Sequence, residues 1–118
     1  MIKDYKDLEV WKESIILVEE GYKVISTLPP KENYSLTDQI RRSAISVPSN
    51  IAEGHERQTT KEFIQFLYIA SASASELETQ LIIANRIYSI ECQTSFAKII
   101  FIKKMLYKLI SSLKRRIS

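Results

Sequence analysis

The sequence predicts an all-α protein, an antiparallel up-down-up-down four-helix bundle whose second helix is kinked near Pro48. Apolar residues recur at steps of three and four along almost the whole chain, and no alternating strand pattern or hairpin signal is present. Only two glycines and three prolines interrupt the 118 residues. Helices joined by short loops fold as a bundle of this kind. Residues 1–118 are therefore expected to form a single domain.

The first predicted helix has an apolar stripe and a second apolar arc beside it. The stripe consists of Leu8, Trp11, Ile15, Val18, Tyr22 and Ile25, and the arc of Val10, Leu17, Val24 and Leu28. A helix of a monomeric bundle needs only a narrower stripe. The fourth helix likewise has Ile100, Phe101 and Tyr107 outside its core stripe. We therefore expect a homo-oligomer, with a monomer as the alternative.

The second predicted helix follows the Pro29-Pro30 loop and carries a proline in its interior. Ser35 stands three residues before Asp38, as in a capping box, and the expected core positions are Leu36, Ile40, Ala44, Val47 and Ile51. An interior proline removes a backbone donor and costs roughly 3 kcal/mol or more. The bend expected at Pro48 either closes the bundle or shapes a functional site, and both interpretations stay open.

A capping box at Thr59 and Glu62 predicts the start of the third and longest helix. Its expected core positions are Phe63, Phe66, Leu67, Ala70, Ala74, Leu77, Leu81, Ala84 and Ile87. A polar break at residues 89–95 precedes the fourth helix, with expected core positions Ile99, Ile102, Leu106, Leu109, Leu113 and Ile117. The small side chains of the run SASAS at residues 71–75 indicate close helix packing.

Basic residues are concentrated in the last part of the sequence. Residues 92–118 hold seven Lys/Arg and no Asp/Glu, a formal charge of +7, although the whole chain has a net charge of only +3. At 100° per residue, Lys104, Lys108 and Arg115 fall within about 40° of one another, opposite the core stripe. Such asymmetry favours an anionic partner, and a solvated helix face is the alternative. The candidate nucleic-acid-binding residues are Lys98, Lys103, Lys104, Lys108, Lys114, Arg115, Arg116, Arg41 and Arg42.

Nothing in the sequence points to catalysis, a metal or a cofactor. His55 is the sole histidine and stands two residues from Glu53, whereas di-iron bundles use Glu-x-x-His. Cys92 has no second cysteine for a disulfide or zinc site and no nearby histidine for a Cys/His nucleophile. No apolar run approaches the roughly 20 residues that span a bilayer, and no signal peptide is recognisable. We therefore expect a non-enzymatic cytoplasmic protein without metal or cofactor.

Three segments carry a resemblance to a known family. They are DLEVWKES, QIRRSAISVPSNIAEGHER and KEFIQFLYIASASASELETQL, in that order. Over most of residues 7–90 the chain resembles the four-helix bundle proteins encoded in intervening sequences of bacterial 23S ribosomal RNA. The residues that match the family motif are Ser46, Pro48, Asn50, Glu53, Gly54, Ser73 and Glu76. The most specific element is SVPSNIAEG at residues 46–54, whose role stays open.

The resemblance implies an assembly with an RNA-related role. Most members of this family have no established activity. The related accessory proteins of diversity-generating retroelements are similar bundles that form cyclic pentamers and bind nucleic acid and a reverse transcriptase. We therefore expect a bacterial homopentamer that binds nucleic acid, with RNA favoured, and no membrane. One alternative is an adaptor assembly that docks a protein partner such as a reverse transcriptase, and another is attachment of the fourth helix to anionic lipid.

Overall fold

The structure, a computed structural model, describes residues 2–117 and contains the helices α1 (Glu9–Ile25), α2 (Leu36–His55), α3 (Thr60–Tyr88) and α4 (Gln93–Ile117). Short 3-10 turns at Tyr5–Asp7 and Pro30–Glu32 precede α1 and α2. Each helix packs against the next one in the chain, and α4 also packs against α1, so the helices close a ring. The part of the chain that the structure describes contains no strand. The predicted all-α four-helix bundle is confirmed.

One apolar core extends along the axis of the bundle. Its largest fully buried apolar side chains are Leu17, Ile40, Val47, Ile51, Leu67, Leu77, Leu81, Ile99, Ile102, Leu106 and Leu113. Complete burial of a leucine or isoleucine contributes roughly 1.5–3 kcal/mol relative to exposure. Every core position expected on α2 is buried. The exceptions on α3 and α4 are Ile87 and Ile117, which are exposed, and Phe66 and Leu109, which are half-buried.

The core-facing side of α1 differs from the expected one. Val10, Leu17 and Val24 are buried, with Ser14 and Gly21 between them, whereas the expected stripe lies at the edge of the core or on the surface. The predicted assignment of stripe and arc is therefore wrong. The physical reason is that the buried side of α1 contains the small residues Ser14 and Gly21, which an apolar pattern does not count, and Gly21 faces Ala44 of α2. Small residues face the neighbouring helix, and the bulky ones lie beside the contact.

A residue outside the predicted capping box caps α2. Glu32 Oε1 accepts hydrogen bonds from the Ser35 hydroxyl at 2.6 Å and from the Leu36 backbone N–H at 3.4 Å. The Ser35 side chain makes no capping hydrogen bond to α2, and Asp38 pairs instead with Arg41. The capping box predicted at Ser35 and Asp38 is therefore wrong, because the carboxylate that reaches the first turn comes from the preceding 3-10 turn.

α2 continues through Pro48 as one helix. Proline has no backbone N–H, so the carbonyl of Ala44 loses the donor that an ordinary residue at position 48 would supply. The Asn50 side chain bonds the turn that contains the proline, because its Nδ2 donates to the Ser46 carbonyl and to the Ser46 hydroxyl oxygen, both at 2.8 Å. The bend expected at Pro48 stays a prediction.

The turn between α2 and α3 places the two helices in very close contact at Gly54. The Glu62 backbone N–H donates to Thr59 Oγ1 at 3.1 Å, which confirms the predicted start of α3. A Cβ added at Gly54 would lie 2.5 Å from the Phe66 Cβ and 3.1 Å from the Phe63 Cδ1. Because the first of these atoms is attached directly to the backbone of α3, a side chain at Gly54 would push the helices apart.

We expect opposite effects when the two glycines are replaced by alanine. Gly54→Ala should destabilise the protein by about 1–3 kcal/mol, the usual cost of overpacking a buried site. Gly21→Ala is the control, since its Cβ meets only ordinary contacts and alanine favours helix by up to about 1 kcal/mol. Urea denaturation of both variants measures the two effects. Equal stability of Gly54→Ala and wild type would refute the close contact.

The Glu32 cap predicts a specific pH dependence. The hydrogen bond from Ser35, followed by one from the Tyr88 hydroxyl, lowers the pKa of Glu32 below its ordinary value of 4.5. A carboxyl with a lowered pKa contributes stability that is present above the unfolded-state pKa and is lost as the pH falls through the folded-state pKa. We therefore expect Glu32→Gln to flatten the acid side of the stability profile. Glu19→Gln, which removes the same charge at an exposed position of α1, is the control for the change of net charge. Denaturation at several acidic pH values tests this, and parallel profiles for wild type and Glu32→Gln would contradict it.

Candidate nucleic-acid interface

The outward side of α4 is both basic and apolar. Its inward side buries Ser95, Ile99, Ile102, Leu106, Ile110 and Leu113. Lys104, Lys108 and Arg115 are exposed on the opposite side, and we call these three residues the α4 ridge. Their spacings of four and seven residues align them along one side of the helix. Exposed Ile100, Phe101 and Tyr107 lie beside the ridge.

The charges of Lys104 and Lys108 are not compensated inside the protein. Within residues 2–117, neither ammonium has an ion-pair, hydrogen-bond or ring partner. Both side chains are exposed, and Tyr107 between them is 72% exposed. An uncompensated surface cation remains available to an external anion such as a phosphate. The outward direction predicted for these lysines therefore agrees with the structure.

The cations on the flanks of α4 bind neighbouring helices. Lys98 pairs with Glu13 of α1, with 2.5 Å between Nζ and Oε1, and only 23% of its side chain is exposed. Lys103 donates to the Ser75 hydroxyl of α3 at 2.6 Å. Lys114 lies over the Tyr68 ring of α3, 5.2 Å from its centroid. These three predicted nucleic-acid-binding residues already have partners within the bundle.

The remaining predicted cations lie elsewhere on the bundle. Arg41 and Arg42 are on α2, which packs against α1 and α3 rather than α4, and both pair with Asp38 at 3.4 Å. Arg116 lines an apolar pocket of about 330 Å³ with His55, Phe63 and Leu113, among others. The structure therefore divides the nine predicted residues between several surfaces.

Most residues of the family motif lie where α2 meets α3. The hydroxyl oxygens of Ser46 and Ser73 are 2.8 Å apart, and Asn50 donates to Ser46. Glu76 lies on the same side of α3 and lines a polar pocket. Pro48 instead faces α1, and Glu53 is exposed, 3.8 Å from Arg57. Gly54 provides the close helix contact described above.

Sequence reasoning missed one buried polar pair in this region. The Ser43 hydroxyl lies 2.6 Å from the Gln80 Oε1, and both residues are buried. A signal was present, because Gln80 follows Ser73 by seven residues and both therefore lie on the same side of α3. A glutamine in an apolar helix is usually read as a surface residue, since polar residues are mostly exposed.

An apolar groove separates α1 from α2 on the surface. It measures about 330 Å³ and is lined by Tyr5, Trp11, Ile15, Val18, Ile45, Pro48, Ser49 and Ala52. We call it the α1/α2 groove. The exposed apolar residues of α3 and α4 form different surfaces, with Tyr68, Ile69, Ile82, Ile83, Ile87, Ile100, Phe101 and Tyr107. The exposed apolar residues of α3 and α4 are therefore separate from the α1/α2 groove.

The residues considered for catalysis make ordinary structural contacts. His55 Nε2 lies 2.9 Å from the Ile2 carbonyl oxygen, and its Nδ1 lies 3.2 Å from Glu56 Oε2. Cys92 is buried, and this burial raises the pKa of its thiol. Among residues 2–117, no group of three or more His, Cys, Asp or Glu side chains is placed to hold a metal ion. None of the helices in this range has both the length and the apolarity needed to cross a membrane.

Comparison with known proteins shows the family of the chain. The family model described as "23S rRNA-intervening sequence protein" matches residues 6–112. The fold is similar to the 1.70 Å crystal structure of a protein of unknown function from the S23 ribosomal protein family of Bacteroides thetaiotaomicron VPI-5482. The TM-score is 0.76 and the identity 25%, over 86% of this chain and 95% of that chain. No curated protein matches the sequence. The chain belongs to the family of 23S rRNA-intervening sequence proteins.

Proposed function

We propose that the protein is a non-enzymatic homo-oligomer that binds RNA through the α4 ridge. The observation that carries this proposal is the pair of exposed, uncompensated ammonium groups of Lys104 and Lys108, in line with Arg115. Cations of this kind bind phosphates and release condensed counterions. The family description names the intervening sequence of 23S rRNA, which supports RNA as the nucleic acid.

The ridge favours binding of low sequence specificity. Lysine contacts to phosphates position a protein without reading bases. Phe101 and Tyr107 are exposed beside the lysines, and exposed aromatic rings next to cations are typical of surfaces that bind single strands by stacking. The same aromatic residues favour the second candidate function, an adaptor surface that docks a protein partner such as a reverse transcriptase.

Assembly into a cytoplasmic ring is part of the proposal. The α1/α2 groove and the exposed apolar residues of α3 and α4 are different surfaces, so a contact between them would be heterologous. Heterologous contacts generate a ring when the rotation closes. The relation to pentameric accessory proteins favours five subunits. A ring would also place several α4 ridges in one particle, which multiplies the phosphate contacts.

Substitution in the α1/α2 groove should dissociate the oligomer. Ile45 lines the groove and is 40% exposed, so Ile45→Arg should place a charge in the contact without disturbing the core. Ile16→Arg is the matched control, since Ile16 is 39% exposed and lies outside the groove. Light scattering at micromolar concentration measures the mass. We expect an oligomer for wild type and for Ile16→Arg, and a mass near the 13.7 kDa of one chain for Ile45→Arg. A wild-type mass of one chain would defeat the assembly proposal. An intact Ile45→Arg oligomer would show that the α1/α2 groove is not part of the contact between subunits.

Charge reversal on the α4 ridge should abolish RNA binding. We expect Lys104→Glu/Lys108→Glu to lose affinity for structured RNA, single strands and duplex DNA alike, with fold and assembly intact. For wild type, log K against log salt should slope by about −0.9 per phosphate contact on duplex DNA and about −0.7 on single strands. Lys31→Glu/Lys61→Glu makes the same change of charge at exposed positions outside α4 and is the control. Fluorescence anisotropy measures the affinities.

Two results would count against nucleic-acid binding through the α4 ridge. If wild type binds no nucleic acid at low salt, the adaptor function becomes the better proposal. If the control variant loses as much affinity as the ridge variant, net charge rather than the ridge determines binding. Lipid vesicles with anionic headgroups serve as the competing surface, and binding to vesicles alone would favour a membrane contact.

A further inference from the structure

A polar pocket of about 320 Å³ lies between α2 and α3. Its lining residues are Gln39, Arg42, Ser43, Ser46, Glu76 and Gln80. Ser46 and Glu76 belong to the family motif, and the function proposed above uses neither. The volume lies at the lower end of the range of roughly 300–1,000 Å³ that is usual for small-molecule sites.

The Gln80 side chain leaves one polar group available to this pocket. The residue is only 6% exposed, and its Oε1 is 2.6 Å from the Ser43 hydroxyl. Ser43 Oγ also lies 3.0 Å from the Gln39 carbonyl oxygen and 3.3 Å from the Ile40 carbonyl oxygen. Its shortest contact is the one with Gln80 Oε1, which identifies Gln80 as the acceptor of its single proton. The Gln80 Nε2 then has no partner within residues 2–117. Among the described residues, the buried side-chain polar atom without a partner is Thr37 Oγ1, so the Gln80 Nε2 is accessible from the pocket, where it can donate to a ligand acceptor.

An acceptor and a cation lie beside this amide. Glu76 precedes Gln80 by four residues and is therefore its neighbour on the surface of α3. Glu76 is exposed, and its carboxylate has no hydrogen-bond or ion-pair partner among the described residues. On the α2 side, Arg42 uses its Nε for Asp38, which leaves the donors at the end of its guanidinium available. Asp38 pairs with both Arg41 and Arg42, so these three charges and that of Glu76 sum to zero. The pocket therefore favours an uncharged ligand with both donors and acceptors.

We infer that this pocket binds a guanine base of single-stranded nucleic acid. Guanine is the base whose edge has two adjacent donors, N1–H and N2–H, which one carboxylate such as Glu76 accepts together. Its O6 and N7 atoms are acceptors, which match the Gln80 amide and the Arg42 guanidinium. Bases of single strands are accessible to such contacts on these edges. This inference rests on the proposed function only in taking nucleic acid as the natural ligand.

The four nucleoside monophosphates test the pocket directly. GMP, AMP, CMP and UMP share their ribose and phosphate, so any difference in affinity reports the base. We expect GMP to bind about tenfold more tightly than the other three, as one well-placed bidentate contact allows. Titration followed by NMR chemical shifts measures each affinity and shows whether the shifted resonances belong to residues of α2 and α3.

Glu76→Gln should remove the preference for GMP, because an amide cannot accept from both guanine donors. Glu78→Gln is the matched control, since it makes the same change on α3 outside the pocket. Circular dichroism verifies that both variants are helical. An equal affinity of wild type for all four nucleotides, or an undiminished preference for GMP in Glu76→Gln, would overturn the inference.

The ridge and the pocket can fail independently. If GMP is preferred and the preference depends on Glu76, the pocket stands even when wild type fails to bind long RNA, and only the proposed function fails. If RNA binding requires the α4 ridge but GMP is not preferred, the proposed function stands and the pocket is refuted. Lys104→Glu/Lys108→Glu should retain the preference for GMP, since neither lysine lines the pocket.

Discussion

The close approach of α2 and α3 at Gly54 is the constraint on which the rest of the bundle depends. With no Cβ at this position, the backbone of α2 can approach the Phe66 Cβ of α3, where a Cβ would lie only 2.5 Å away. This contact sets the distance between the helices along the following turns. It allows short side chains to bond across, as Ser46 does with Ser73 at 2.8 Å. The SVPSNIAEG segment thus has a packing role that does not require a ligand.

Local patterns predicted the helices well, and contacts between helices explain the errors. The Thr59 cap and the core positions of α2 depend on residues within a few positions of one another, which a sequence displays directly. The core face of α1 contains Ser14 and Gly21, which an apolar pattern does not count. The cap of α2 comes from Glu32, a residue outside the helix. In the first case the buried face includes small residues that are not apolar, and in the second the capping carboxylate belongs to a residue outside the helix.

The same distinction applies to the candidate interface. Helical geometry alone placed Lys104 and Lys108 on the outward side of α4, because the angle between residues of one helix is fixed. It could not show that Lys98 pairs with Glu13, 85 residues away in sequence. Gln80 was overlooked for a similar reason, since its burial depends on Ser43 of α2. The spacing of residues within one helix therefore predicts the side on which a residue lies, but it does not predict its partner on another helix.

The pairing of the flanking cations limits what one subunit can bind. Although residues 92–118 carry a formal charge of +7, Lys98, Lys103 and Lys114 already contact α1 or α3. If the α4 ridge binds RNA as we propose, only a few cations per subunit would meet phosphates, and salt would weaken each contact. Linking several such surfaces in one particle raises the effective concentration of the second and later contacts, so overall binding can exceed that of one subunit by about 10²–10⁴. The proposed binding through so small a ridge would therefore gain most from the proposed assembly, and this dependence would connect the α1/α2 groove to the α4 ridge.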